Sequence, residues 1–274
     1  MASKPTIVFS IGSWLTPASF DTVREKLSAK RIPSEVPAHP SVGAEPPTKT
    51  LTDDIASLRS VLVRLVEEGK DVVVVGHSSG GISASGAAEG LTKADRKAAG
   101  LAGGVVMIVF MAAFVLDKGQ SLLDMLGGQP LPWMDIQGDY VRCSGGPEVA
   151  FHDVAPNEQQ KWASSLLHTS RELFAGAATY EPWHTTPSAY IVTEEDRALP
   201  LPYQEGMAAK LGTELIYRLK SSHSPFLSVP DQLVDVLEEL AAKTIETTKT
   251  TGQKQDIGVT TTEVEAGEQR AVHS

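Results

Sequence analysis

One cysteine, Cys143, stands among 274 residues, so no intrachain disulfide can form. That usage suits a reducing compartment. Cys143 itself reads as a structural or surface thiol, with Arg142 its only basic neighbour. Long apolar runs are also missing: the stretch Val105 to Val115 falls short of the roughly 18 residues a membrane span needs, and reads as a buried strand. Excess positive charge is absent too. The formal charge of −10 argues against nucleic acid and anionic membranes as partners. An apolar stretch begins almost at once, at Thr6-Ile7-Val8-Phe9, and no cleavable secretory signal is expected ahead of it. A cytoplasmic protein is expected, monomeric or homodimeric, whose partner is a small molecule.

What is present is an ordinary soluble composition, 41% hydrophobic and 21% charged, in a chain long enough to bury a full core. Its most informative feature is Gly76-His77-Ser78-Ser79-Gly80, placed directly after Val72-Val73-Val74-Val75 and before a small-residue stretch, Ile82 to Ala88. The pattern is buried strand, sharp turn, helix. A G-x-S-x-G in that setting lifts a serine hydroxyl clear of a parallel sheet. Gly76 and Gly80 let strand and helix backbones pass close together. The helix start offers free N–H groups, and the Ser79 N–H is expected to point where negative charge would build up on an attacked carbonyl.

Around this motif the sequence alternates. Strands are expected at residues 6–11, 32–37, 71–75, 104–111, 188–193 and 214–219. Helices are expected from Pro17 to Ala29, over the stretch capped by Thr52-Asp53-Asp54 up to Glu68, from the elbow to Leu91, from Tyr203 to Leu211, and from Pro230 to Lys243. Continuous apolar strands separated by amphipathic helices predict an α/β fold, a mostly parallel sheet with helices on both faces. Residues 114–183 break the rhythm with Trp133, Tyr140, Phe151, Trp162 and Trp183, and Asn157 to Phe174 has a helical pattern. They are expected to form a helical cap inserted into a core of residues 1–113 and 184–243. From Thr244 the composition turns to Thr, Glu, Lys, Gln and Gly, which predicts a disordered tail over 244–274.

A serine hydroxyl needs a base, and the base needs an orienting carboxylate. Asp196 follows strand 188–193 and His223 follows strand 214–219, so both loops should emerge at the sheet edge that carries Ser78. Glu194 and Glu195 are rival orienters. His184 is a rival base, but it precedes the strand that leads to Asp196, which favours a pocket-lining place for it. His77 is expected to pack or hydrogen-bond structurally. Gly12-Ser13-Trp14 should supply a second oxyanion donor, with the Ser13 N–H favoured and the Trp14 N–H as backup. Trp14, Trp133, Trp183, His184 and Phe226 are the expected substrate-binding residues. His152-Asp153 lacks a third ligand at suitable spacing, so no metal and no cofactor are expected.

These stretches resemble the α/β-hydrolase superfamily across residues 5–243. The resemblance rests on Pro5 to Phe9, Gly69 to Gly81, Tyr190 to Pro200 and His223 to Ser228. The chain is similar to the branch of plant methylesterases and hydroxynitrile lyases, and more so to small fungal hydrolases. The resemblance implies that Ser78 attacks, His223 shuttles the proton and Asp196 orients His223. His77, Gly12 and Ser224 differ from the residues the lyases carry at those places, which favours hydrolysis. The expected activity is cleavage of a carboxylic ester or lactone of a small apolar or aromatic metabolite. The alternatives are a receptor-like protein that keeps the triad with little turnover, and a triad enzyme for C–C cleavage or cyclisation.

Overall fold

A computed structural model describes residues 4–245. The expected tail lies outside the described residues, apart from 244 and 245, which continue the last helix. Six strands form one sheet in the order β2-β1-β3-β4-β8-β9. They are β1 (Thr6–Ser10), β2 (Ser34–Glu35), β3 (Asp71–His77), β4 (Gly104–Met111), β8 (Ser188–Thr193) and β9 (Ile216–Leu219). Every neighbouring pair in this sheet is parallel. The short edge strand β2 is cut by Pro33 and Pro37, each lacking the N–H that a ladder needs.

The sheet is apolar on both faces because alternate side chains point to opposite sides. Val72, Val74, Ile108, Phe110 and Val192 pack on one side against Leu58, Leu62 and Leu65 of α2 (Leu51–Glu67). On the other side Val73, Val75, Val109 and Ile191 meet Val23 and Leu27 of α1 (Asp21–Ala29) and Leu233, Leu237 and Leu240 of the closing helix, residues 230–245.

Local signals fix the helix starts. The Thr50 side chain accepts from the Asp53 N–H, and the Asp53 side chain accepts from the Thr50 N–H. The helix therefore starts earlier than the expected Thr52 cap. The elbow helix α3 (Gly80–Ala87) stops before Leu91, and a separate helix α4 (Lys93–Ala98) follows, capped by Thr92.

Between β4 and β8 the insertion carries α5 (Leu122–Met125), α6 (Gly146–Ala150), α7 (Pro156–Ser165) and α8 (Arg171–Ala175). It also holds a small antiparallel sheet of β5 (Met134–Gln137), β6 (Tyr140–Cys143) and β7 (Thr169–Ser170), which the all-helical expectation for this segment did not contain. The expected helix from Asn157 to Phe174 breaks at Leu166, whose backbone is extended. Thr169 and Ser170 pair with β6 instead, and the Ser170 hydroxyl donates to the Pro47 carbonyl at 2.7 Å. Tertiary pairing outweighs helical periodicity there. The core resumes with α9 (Leu201–Lys210) and α10 (Pro225–Ser228).

Candidate active site

Ser78 follows β3 with a backbone φ of 55°, a left-handed conformation that costs a non-glycine residue energy. Crowding enforces the turn. A Cβ on Gly76 would lie 2.6 Å from Gly81 Cα, and one on Gly80 would lie 2.6 Å from the Ile11 carbonyl oxygen. Only glycine lets β1, β3 and α3 approach this closely. The Ser78 N–H donates to the Met111 carbonyl, and the Phe114 N–H donates to the Ser78 carbonyl, so the loop after β4 holds the turn from below.

Asp196 and His223 meet across the ends of β8 and β9. His223 Nδ1 lies 2.7 Å from Asp196 Oδ2. The carboxylate is fixed by four further donors. Oδ2 accepts from Thr193 Oγ1 at 2.8 Å and Gln204 Nε2 at 3.1 Å, and Oδ1 accepts from the Ala198 and Leu199 N–H groups at 2.8 Å. Glu194 and Glu195 point outward to Arg218 and Lys220, so the structure gives neither rival a place beside His223. The bond through Nδ1 leaves His223 Nε2 free, and it is hydrogen-bonded to nothing among the described residues. Ser78 and His223 line the same two cavities. They are not hydrogen-bonded to each other here, a bond that in such sites often tightens only around substrate.

Two adjoining cavities open at this site. Ser13, Trp14, Ser78, Trp133, Ala198 and His223 line both. Phe114, Leu131 and Phe174 enclose the first; Leu15, Val149 and Leu166 enclose the second. No Lys, Arg, Asp or Glu stands in either wall. Trp14 is anchored by its indole N–H, 2.9 Å from the Val141 carbonyl, and by ring contacts with Trp133 and Phe174.

Several expected residues lie elsewhere. Trp183 packs edge-on to Phe110 against the hydrophobic core and lines neither cavity. His184 is exposed and paired with Glu181 Oε2 at 2.9 Å, away from the cavities. Phe226 is fully buried, stacked on Phe20 with ring centroids 4.2 Å apart. The Trp14 N–H is engaged by Thr169 Oγ1 at 2.9 Å, so it is no backup oxyanion donor. The favoured Ser13 N–H is engaged as well, by the Ser79 hydroxyl oxygen at 2.9 Å. The Ser79 N–H donates to no group among the described residues. Phe114, Leu131 and Phe174 were not singled out from the sequence. Phe114 carries a signal, since it follows a core strand at its C-terminal end; Phe174 carries none.

His77 turns away from the elbow, and its Nε2 meets the His223 carbonyl oxygen at 2.8 Å. That nitrogen therefore holds the proton, and the buried Nδ1 has no partner among the described residues. Burial holds this imidazole well below the usual histidine range, and the neighbouring His223 adds to the effect. Burial also pushes the Cys143 thiol up, consistent with an unreactive cavity wall. Among the described residues no group of three or more His, Cys, Asp or Glu could hold a metal ion, and no helix is long and apolar enough to cross a membrane.

A second row of serine, histidine and aspartate lies at the C-terminal end of β1. Ser10 Oγ is 3.2 Å from His39 Nε2, and His39 Nδ1 is 3.4 Å from Asp54 Oδ2. All three residues are buried.

The profile of the Alpha/beta hydrolase family matches residues 7–236. The chain is 30% identical over 253 residues to Alpha/beta hydrolase nvfD of Aspergillus novofumigatus, covering 89% of this chain and 99% of that one. It is 29% identical over 216 residues to Methylesterase 7 of Arabidopsis thaliana, covering 71% and 78%. The crystal structure of polyneuridine aldehyde esterase superposes with a TM-score of 0.70 at 18% identity, covering 87% of this chain and 99% of the other, a likeness of fold. With its parallel sheet, its serine elbow and a family match over most of its length, this chain belongs to the alpha/beta hydrolase family.

Proposed function

We propose that this protein is a cofactor-free serine hydrolase that cleaves a carboxylic ester or lactone of a small apolar metabolite. The observation that carries this reading is the 2.7 Å bond between His223 Nδ1 and Asp196, which leaves Nε2 available in the cavity that Ser78 also lines. In the first step Ser78 Oγ adds to the substrate carbonyl carbon while its proton passes to His223 Nε2. The carbonyl π electrons move onto oxygen, and the Ser79 N–H stabilises the resulting oxyanion. Collapse expels the alcohol oxygen, which takes the proton from His223. Water, deprotonated by the same nitrogen, then adds to the acyl carbonyl carbon, and collapse breaks the bond to Ser78 Oγ, which takes the proton back from His223 as the acid is released. Asp196 holds the ring orientation and stabilises the imidazolium.

The walls support an uncharged substrate, because an anionic or cationic group would be desolvated there without a partner. The aromatic surfaces of Trp14, Trp133, Phe114 and Phe174 suit a flat or branched apolar group. The relatives named methylesterase and esterase support ester cleavage as the reaction class. The protein is tested with a fluorophosphonate probe and a panel of p-nitrophenyl esters. Labelling and turnover are expected in the wild type and absent in Ser78→Ala; labelling that survives the substitution overturns the reading.

A further inference from the structure

We propose that the Ser79 side-chain hydroxyl is itself an oxyanion donor, standing in for the Ser13 N–H. This rests on the hydrolase reading above and adds a catalytic group to it. The expected second donor, the Ser13 N–H, points at Ser79 Oγ at 2.9 Å, so it does not face the cavity unaccompanied. Ser13 Oγ lies 2.8 Å from the same oxygen. Both serines are buried, at 6% and 4% exposure, and both line the first cavity.

Either hydroxyl can donate in this pair, and the proposed arrangement has Ser13 donating. The two hydroxyls share one O–H···O bond, which leaves the hydrogen of one of them uncommitted. With Ser13 donating, Ser79 Oγ accepts an N–H and an O–H, and its own hydrogen is left uncommitted. The Ser79 hydroxyl and the Ser79 N–H are then two donors of one residue that lines the first cavity together with Ser78. Two incoming donors polarise the outgoing O–H and strengthen the bond it makes. The Ser13 N–H thus reaches the substrate through a relay. No proton is transferred: the hydroxyl only donates a hydrogen bond to the oxygen that gains negative charge, and it returns to its resting bonds when the intermediate collapses.

The test compares Ser79→Ala, Ser79→Thr and Ser13→Ala on the best p-nitrophenyl ester. It also uses a trifluoromethyl ketone, whose adduct with Ser78 places a true oxyanion in the hole. Ser79→Ala is expected to lower kcat about 100-fold, to leave KM within about threefold, and to weaken the ketone by the same factor as kcat/KM. Ser79→Thr, which keeps the hydroxyl, is expected to restore most of the loss. Ser13→Ala, which removes one of the two groups that hold the hydroxyl, is expected to lower kcat about tenfold. Completed fluorophosphonate labelling of Ser78 in each variant reports an intact elbow. If Ser79→Ala fails to fold, Ser13→Ala carries the test, and an unchanged kcat there overturns the proposal. Unchanged or raised kcat in a labelled Ser79→Ala protein overturns this proposal alone, since the hydroxyl would then be a bystander or a plug. Absence of labelling in the wild type overturns both readings.

Discussion

Ser10, His39 and Asp54 are the same three residue types as Ser78, His223 and Asp196, and they too stand in a row. The difference lies in what surrounds them. The Asp54 carboxylate is occupied by Ser41, which donates its N–H at 2.8 Å and its hydroxyl at 2.6 Å, so His39 stands at a looser 3.4 Å. Asp196 instead bonds His223 Nδ1 at 2.7 Å while four other donors hold it in place. Ser10 ends a strand and is fully buried; Ser78 sits on a strained turn and lines a cavity. On the proposed reading, exposure and the partner that the carboxylate serves separate the reacting row from the buried one, and residue identity alone does not. The buried row has a structural job: it ties the loop carrying His39 and Ser41, and the start of α2, to the end of β1, three residues from Ser13.

Matched substitutions break this contrast most severely. Asp196→Asn is expected to lower kcat about ten-thousand-fold on an ester substrate, because the amide would favour the wrong imidazole tautomer. The melting temperature should move little, and a loss below about tenfold would show that this pair does no more chemistry than its buried counterpart. Asp54→Asn puts an amide NH2 in place of one carboxylate oxygen, so one of the two Ser41 donors loses its acceptor. It is expected to cost about 2–3 kcal/mol in urea unfolding, with kcat held within about threefold. A collapse of kcat without loss of stability would join the buried row to the reaction.

The gentlest test concerns His77, the third buried imidazole. Unfolded, it takes up a proton near the ordinary histidine pKa of about 6.5. Folded, it resists protonation until the solution is far more acidic, because burial penalises the charged form. Between those two points the unfolded chain binds the extra proton, so stability falls as pH drops below about 6.5, by up to ~1.4 kcal/mol per pH unit. His77→Gln keeps a donor for the His223 carbonyl and removes the titration. Unfolding free energies measured at about pH 7.5 and 5.5 should then differ less than in the wild type. Parallel pH curves for the two proteins would show that His77 does not carry this dependence.

The sheet was legible in the sequence because its strands are short, continuous and β-branched, and because Gly76 and Gly80 mark the elbow between them. The positions of Asp196 and His223 followed from the same rhythm, since loops after parallel strands share one edge. The insertion was poorly legible. Its segments are brief, and partners distant in sequence decide their form: Thr169 is extended because β6 and Trp14 claim it, against the helical spacing of its neighbours. The aromatic residues misled for a related reason. Trp183 and Phe226 are large enough to line a pocket or fill a core, and composition does not distinguish the two. Ser79 was legible only as a backbone donor, because its side chain gains meaning from Ser13, 66 residues away in the chain.

The absence of charged side chains from both cavity walls has an effect on the end of the cycle. On the proposed chemistry a neutral molecule enters and a carboxylate is left behind. That anion finds no cation to greet it, in a protein that is itself strongly negative. Departure is thus favoured electrostatically, and the liberated acid should be a feeble competitor of the next arrival. The same walls that admit the reactant evict what it becomes, so the direction of traffic is written into the lining.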